Sequence, residues 1–195
     1  MSRNQLPRFF ISLFRKLPGL SMWLAASCIA LAGMARAEEA PRPASGDAVL
    51  QATRMVLGII SYARWPVPPE SYRVCAAGDL SHLRELLEKP ASVRERPVVA
   101  KVLEGGIAQS ASVCNVLYLG ETSASRRKQL LGEATGRQIL TIVEADDACA
   151  SGGMFCLGLQ ADGVILQTNL DAISRSGIQI NPQVLKLTRR KAVSP

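Results

Sequence analysis

Two stretches of the chain lack a regular apolar–polar alternation: VCNVLYLG at 113–120 is a near-continuous apolar run, and QILTIVE at 138–144 holds the apolar pairs Ile139-Leu140 and Ile142-Val143. A strand with one wet face alternates apolar and polar residues, so runs without alternation belong to strands covered on both sides. Such strands need a helical layer on each face of their sheet, which narrows the fold to the α/β class. The surrounding segments fit that demand. From Asp47, a candidate N-cap, DAVLQATRMVLGIISYAR sets Leu50, Val56, Leu57, Ile60 and Tyr62 or Ala63 at helical intervals before Trp65-Pro66 ends the run. YRVCAAG at 72–78 reads as a strand, SHLRELLEK at 81–89 as a helix with leucines on one face, PVVAKVL at 97–103 as a strand, and SASRRKQLLGEATG as a polar helix.

The last third changes style. MFCLGLQ and VILQTNL flank Ala161-Asp162-Gly163, a hairpin pattern. LDAISRSG then makes a short helix closed by Gly177, IQIN a brief extended piece, and PQVLKLTRRK a helix with Pro182 in its first turn. The expected fold is a single-domain three-layer α/β sandwich, its sheet mostly parallel with an antiparallel hairpin at one edge.

The N-terminus has basic residues and no acidic ones, then an uncharged run, then Ala35-Arg36-Ala37 just before Glu38. These are the parts of a secretory signal peptide, with cleavage expected after Ala37. The run is about long enough for a permanent anchor, but it is rich in Ala, Ser and Gly and meets a cleavage site at once. A lipoprotein signal at Cys28 is disfavoured because the apolar run continues past that cysteine. The expected divisions are a signal peptide at 1–37, a flexible leader at 38–46, the α/β domain at 47–191 and a tail at 192–195.

Cleavage changes the charge. The whole chain holds 23 basic and 16 acidic residues; removing Arg3, Arg8, Arg15, Lys16 and Arg36 leaves 18 against 16, near +2. The basic balance belongs to the signal, so nucleic-acid binding has no support from it.

Four cysteines remain after cleavage, Cys75, Cys114, Cys149 and Cys156, and an even number in an exported chain argues for two disulfides. A zinc site lacks C-x2-C spacing and has only His82 to add, and a dithiol catalyst lacks C-x-x-C. Four cysteines allow three pairings, which sequence alone does not separate. Gly152-Gly153 can fold a loop back and so favours Cys149 with Cys156, leaving Cys75 with Cys114.

Catalytic features are sparse. His82, the single histidine, reads as an exposed helical residue, and Gly105-Gly106 is too short for a dinucleotide fingerprint. Glu144, Asp146 and Asp147 cluster at a strand end and read as a solvated turn, not a cation site. Neither enzyme activity, a metal nor a cofactor is expected. Tyr62 and Trp65 read as aromatics packed on the sheet edge.

Three stretches, GIISYARWP at 58–66, CASGGMFC at 149–156 followed by Leu157, and NLDAISRSGIQINPQVLKL at 169–187, together resemble the YfiR family of periplasmic repressors. The resemblance spans essentially the whole chain after the signal and departs from the family between 89 and 113. It implies a periplasmic α/β protein that binds the periplasmic sensor region of an inner-membrane diguanylate cyclase, YfiN, and lowers cyclic-di-GMP synthesis and with it biofilm formation. It also implies sequestration by an outer-membrane lipoprotein, YfiB, relief of repression by reduction, a homodimer, and the pairing Cys75 with Cys114 and Cys149 with Cys156. Ile173, Ile178, Ile180 and Leu185 lie in the segment that resembles the family's interaction region, each equally readable as core and the isoleucines more readily so, with Phe155 beside Cys156 as the favoured anchor. The competing class, a small-ligand carrier with two lobes, needs about twice this length.

Overall fold

A computed structural model of the chain describes residues 46–107, 114–146, 149–160 and 163–189. The expected signal peptide, the leader up to residue 45, the tail, and Asp147, Ala161 and Asp162 lie outside the described residues.

Helix α1 (Gly46–Tyr62) is followed by β1 (Ala63–Arg64), β2 (Tyr72–Ala77), α2 (Arg84–Glu88), β3 (Ala91–Val93), β4 (Arg96–Val102) and β5 (Val116–Leu119). Then come α3 (Ala124–Ala134), β6 (Leu140–Glu144), β7 (Phe155–Gln160), β8 (Gly163–Thr168), α4 (Leu170–Ser176), β9 (Gln179–Ile180) and a 3-10 helix (Pro182–Arg189). Seven strands form one sheet in the order β3-β4-β2-β5-β6-β7-β8. From β4 to β7 the neighbours are parallel, and β3 and β8 are antiparallel edges. The fold is α/β with a mostly parallel sheet, and every residue of β5 and β6 is buried.

Alternation along the strands divides two cores. Val74, Val116, Tyr118, Leu140, Ile142, Phe155 and Leu157 face α1 and α2, whereas Cys75, Leu117, Leu119, Val143 and Cys156 face Leu130, Leu131 and Ala134 of α3. Helix α3 starts where expected because the Ser123 side chain accepts the Arg126 backbone N–H, and α4 ends at Gly177, whose φ of 72° suits glycine.

One reading is corrected and three are refined. Leu50 is exposed, and α1 instead buries Val49, Ala52, Thr53, Val56, Ile59 and Ile60. The sheet has antiparallel hairpins at both edges, since β3 and β4 join through Arg94 and Glu95, both with positive φ. Neither residue favours that backbone, so the turn carries no Asn-Gly or Asp-Gly mark in the sequence. IQIN contributes β9, which pairs antiparallel with β1 as a separate two-stranded sheet, Ala63 opposite Ile180. The C-terminal helix is 3-10: with three residues per turn, Val184 and Leu187 stack on one side, against the α1 core. Leu187 lies 3.1 Å from where a Cβ on Gly58 would stand.

The strand order reverses between β2 and β5, the place where α/β folds usually leave a ligand crevice. Here backbone fills it. The Asp79 N–H donates to the Glu121 carbonyl (2.9 Å) and the Gly120 N–H to the Ala77 carbonyl (2.9 Å). A Cβ on Gly120 would stand 1.7 Å from the Asp79 oxygen. Gly120→Ala is therefore expected to lower unfolding free energy by about 3 kcal/mol or more, the upper end of overpacking costs. Gly132→Ala, in a helical site with nothing within 4 Å, should raise it by about 0.5–1 kcal/mol. Urea denaturation of both variants checks the pair.

Candidate functional site

The carboxyl third is organised around the bridge Cys149–Cys156, whose Cα atoms are 5.5 Å apart. The loop carrying Cys149 leaves β6 and re-enters the sheet as β7. Reversing in so few residues needs left-handed backbone, found at Ala145 (φ 49°), Cys149 (φ 56°) and Gly152 (φ 92°). Gly153 passes beneath Val143, where a Cβ would come within 2.6 Å of a methyl carbon. Polar contacts pin the rest: the Met154 N–H donates to Thr141 Oγ1 (2.9 Å), and the Asp146 carboxylate accepts the Ser151 N–H and hydroxyl.

One residue ties this loop to the segment behind it. Asn169 N-caps α4, its Oδ1 accepting the Ala172 N–H at 2.9 Å. The same residue donates its backbone N–H to the Met154 carbonyl (3.0 Å) and its amide to the Cys149 carbonyl (3.5 Å). Sequence reasoning missed this double role; an Asn immediately before LDAIS was the available signal.

The second bridge, Cys75–Cys114, spans 39 positions with Cα atoms 5.7 Å apart. It joins β2 to the segment two positions ahead of β5, and Asn115 clamps the same place by accepting the Arg73 N–H and donating its own to the Arg73 carbonyl.

The five expected partner contacts are not brought to one surface. Leu185 is 51% exposed. Ile173 and Ile180 are half-buried against the α1 core. Ile178 and Phe155 are buried, at 4% and 0% exposure. Phe155 as a surface anchor is thus corrected: β7 lies between β6 and β8, and its odd positions point beneath α1. Leu170, 73% exposed at the start of α4, is an apolar surface residue that the sequence reading passed over.

A polar group occupies the carboxyl ends of β5 and β6. Glu144 is 3% exposed; Tyr118 donates its hydroxyl proton to Oε1, and His82 Nδ1 lies 3.3 Å from Oε2. His82 precedes α2 and is half-buried, which corrects its reading as an exposed helical residue. Burial, with the Asp79 charge second, pushes the Glu144 carboxyl up to about 8; burial likewise lowers His82, against an upward pull from Asp79. Among the described residues no group of three His, Cys, Asp or Glu side chains could hold a metal, and no helix is long and apolar enough to cross a membrane.

A mostly parallel sheet whose switch point is closed by backbone, stapled by two disulfides, defines a protein of the α/β class. A family model described as YfiR/HmsC-like matches residues 51–189, and the chain belongs to that family. The family is regulatory rather than catalytic and acts in cyclic-di-GMP signalling.

In the chain-entropy account, the bridge closing the longer loop stabilises more. Replacing Cys75 and Cys114 together by Ala should cost about 4 kcal/mol, and replacing Cys149 and Cys156 about 2.5 kcal/mol. Equilibrium unfolding of both double variants measures the order; the reverse order would show that the short bridge carries more than loop closure.

Proposed function

We propose that the chain is exported, cleaved after Ala37 and folded from about residue 47 as one periplasmic domain that represses a YfiN-like inner-membrane diguanylate cyclase by binding its periplasmic sensor region. The observation that carries this reading is the match to the YfiR/HmsC-like model over residues 51–189. Repression across a membrane requires preference for the inactive cyclase, because equal affinity for both states shifts nothing. A hundredfold preference needs about 2.7 kcal/mol, within reach of one or two apolar anchors.

The geometry favours Leu185 and Leu170 as those anchors, with Ile173 and Ile180 partly available beside them. Phe155 and Ile178 act from inside, by holding β7 and the approach to β9 in place. Redox control enters through Asn169: opening Cys149–Cys156 loosens the loop that Asn169 holds, and with it the start of α4. Competition for the same surface by a YfiB-like outer-membrane lipoprotein would release the cyclase, and the repressor is expected to work as a homodimer.

Titration calorimetry of residues 38–195 against the cyclase's periplasmic region tests the reading. Binding should weaken on reduction, and Leu185→Asp should weaken it at least tenfold without changing unfolding. Phe155→Ala should instead destabilise the fold by about 3–5 kcal/mol. Failure to bind in either redox state would overturn the repressor reading, and mass analysis of the exported protein should find Glu38 first.

A further inference from the structure

We propose that Glu144, Tyr118 and His82 form a proton-operated latch at the root of the Cys149–Cys156 loop, closed while Glu144 holds its proton and released when the proton is lost. The latch is a property of the fold; its effect on partner affinity rests on the function proposed above.

The placement comes first. Glu144 is the last residue of β6, in register with Leu157 of β7. The next residue, Ala145, sits at positive φ and donates its N–H to the Leu157 carbonyl at 3.2 Å. Glu144 is therefore where the sheet ends and the disulfide loop begins, and its side chain is turned into the α1 core beside Tyr118.

Chemistry then decides where the proton sits. Oε1 accepts from the Tyr118 hydroxyl, so the other contact, between Oε2 and His82 Nδ1 at 3.3 Å, needs one proton between two atoms that both have lone pairs. The carboxylic acid donates to neutral imidazole, imidazolium donates to carboxylate, or the Nδ1–H tautomer of neutral imidazole donates to carboxylate. Burial raises Glu144 and lowers His82, and both shifts favour the first of these, the neutral pair. The facing groups from the other elements do not reverse this. Tyr118 comes from β5; Asp79 and His82 come from the β2–α2 connection, and the negative Asp79 opposes a charge on Glu144. Asp146, from the loop, is occupied by Ser151. Among the described residues the one ion-pair contact of Glu144 is His82.

Loss of the proton leaves a negative charge in a dry site next to Asp79, met only by neutral donors, the Tyr118 hydroxyl and the Nδ1–H tautomer of His82. A carboxylate that burial and a like charge both disfavour is relieved by turning toward water, and the first thing that movement pulls on is the Ala145 N–H bond to Leu157.

The sign follows from proton counting. Between 4.5 and about 8 the folded state holds a Glu144 proton that the unfolded chain has released, so stability falls as pH rises through that window. His82 acts oppositely below its ordinary value of 6.5, where the unfolded chain takes up a proton that the folded state refuses. The two slopes offset each other below 6.5. Above it Glu144 acts alone, and the unfolding constant should rise tenfold per pH unit, about thirtyfold in all, up to about pH 8.

Glu144→Gln preserves both contacts, since its amide oxygen accepts from Tyr118 and its amide nitrogen donates to His82, while removing the titration. Urea unfolding of oxidised wild type and Glu144→Gln from pH 5 to 9, with hydrogen exchange of the peptide spanning residues 145–154 at pH 6.5 and 8.5, tests the latch without any partner. The expected result is the thirtyfold rise in wild type only, with loop protection falling at least tenfold between the two pH values, corrected for intrinsic exchange, in wild type and not in the variant. Superimposable profiles for the two proteins, or a pH-dependent stability with unchanged loop protection, would overturn it. Cyclase binding at the same pH values separates the readings. A pH-dependent loop without binding sinks the repressor and keeps the latch; binding with no difference between wild type and variant in stability or loop exchange sinks the latch alone.

Discussion

Burial of β5 and β6 on both faces is the constraint on which the rest of the molecule depends. Neither strand has a wet side, so each must be covered by helices from two directions and hydrogen-bonded by neighbours on both edges. Helix α3 supplies one cover and α1 with α2 the other. Once the centre is so occupied, polar and mobile chemistry is displaced to the strand ends and sheet edges. Both disulfides sit there: Cys75–Cys114 ahead of β5, and Cys149–Cys156 between β6 and β7.

The same tight centre closes the place where α/β folds usually open a ligand crevice. Folds of this class gain their ligand crevice by letting two neighbouring loops diverge where strand order reverses. Here Gly78 and Gly120 allow those loops to converge until backbone bonds to backbone. In the carboxyl third Leu170 and Leu185 stay exposed, while α4 and the 3-10 helix place Ala172, Ile173, Val184 and Leu187 on the α1 core.

How much of this was legible depends on how local the cause is. The central strands, the hairpin β7–β8, helix α3 and Gly177 were readable because hydrophobic period and turn chemistry act over a few residues. The β3–β4 turn was not, since Arg94 and Glu95 adopt positive φ only under the pull of the strands they join. The 3-10 form of the last helix was equally hidden: Val184 and Leu187 fit either helix type, and contact with α1 decides. Phe155 shows the limit for function. Its position beside a cysteine suggested display on a loop, yet the strand begins at that very residue, and a strand flanked on both sides has no surface to offer there. The partnership of Glu144 with Tyr118 and His82 joins residues 26 and 62 positions away, beyond the reach of any spacing rule.

These non-local contacts give the carboxyl third its character. The Cys149–Cys156 loop is held at its root by Glu144, across its span by the disulfide and Asp146, and at its exit by Asn169. None of the three is a large apolar contact; each is a bond whose strength responds to solution conditions or to a single group. Apolar packing is insensitive to redox poise and pH, so a loop held by packing alone could report neither. A loop held by a disulfide and a buried acid can report both, and because Asn169 also caps α4, whatever loosens the loop reaches the surface on which Leu170 stands.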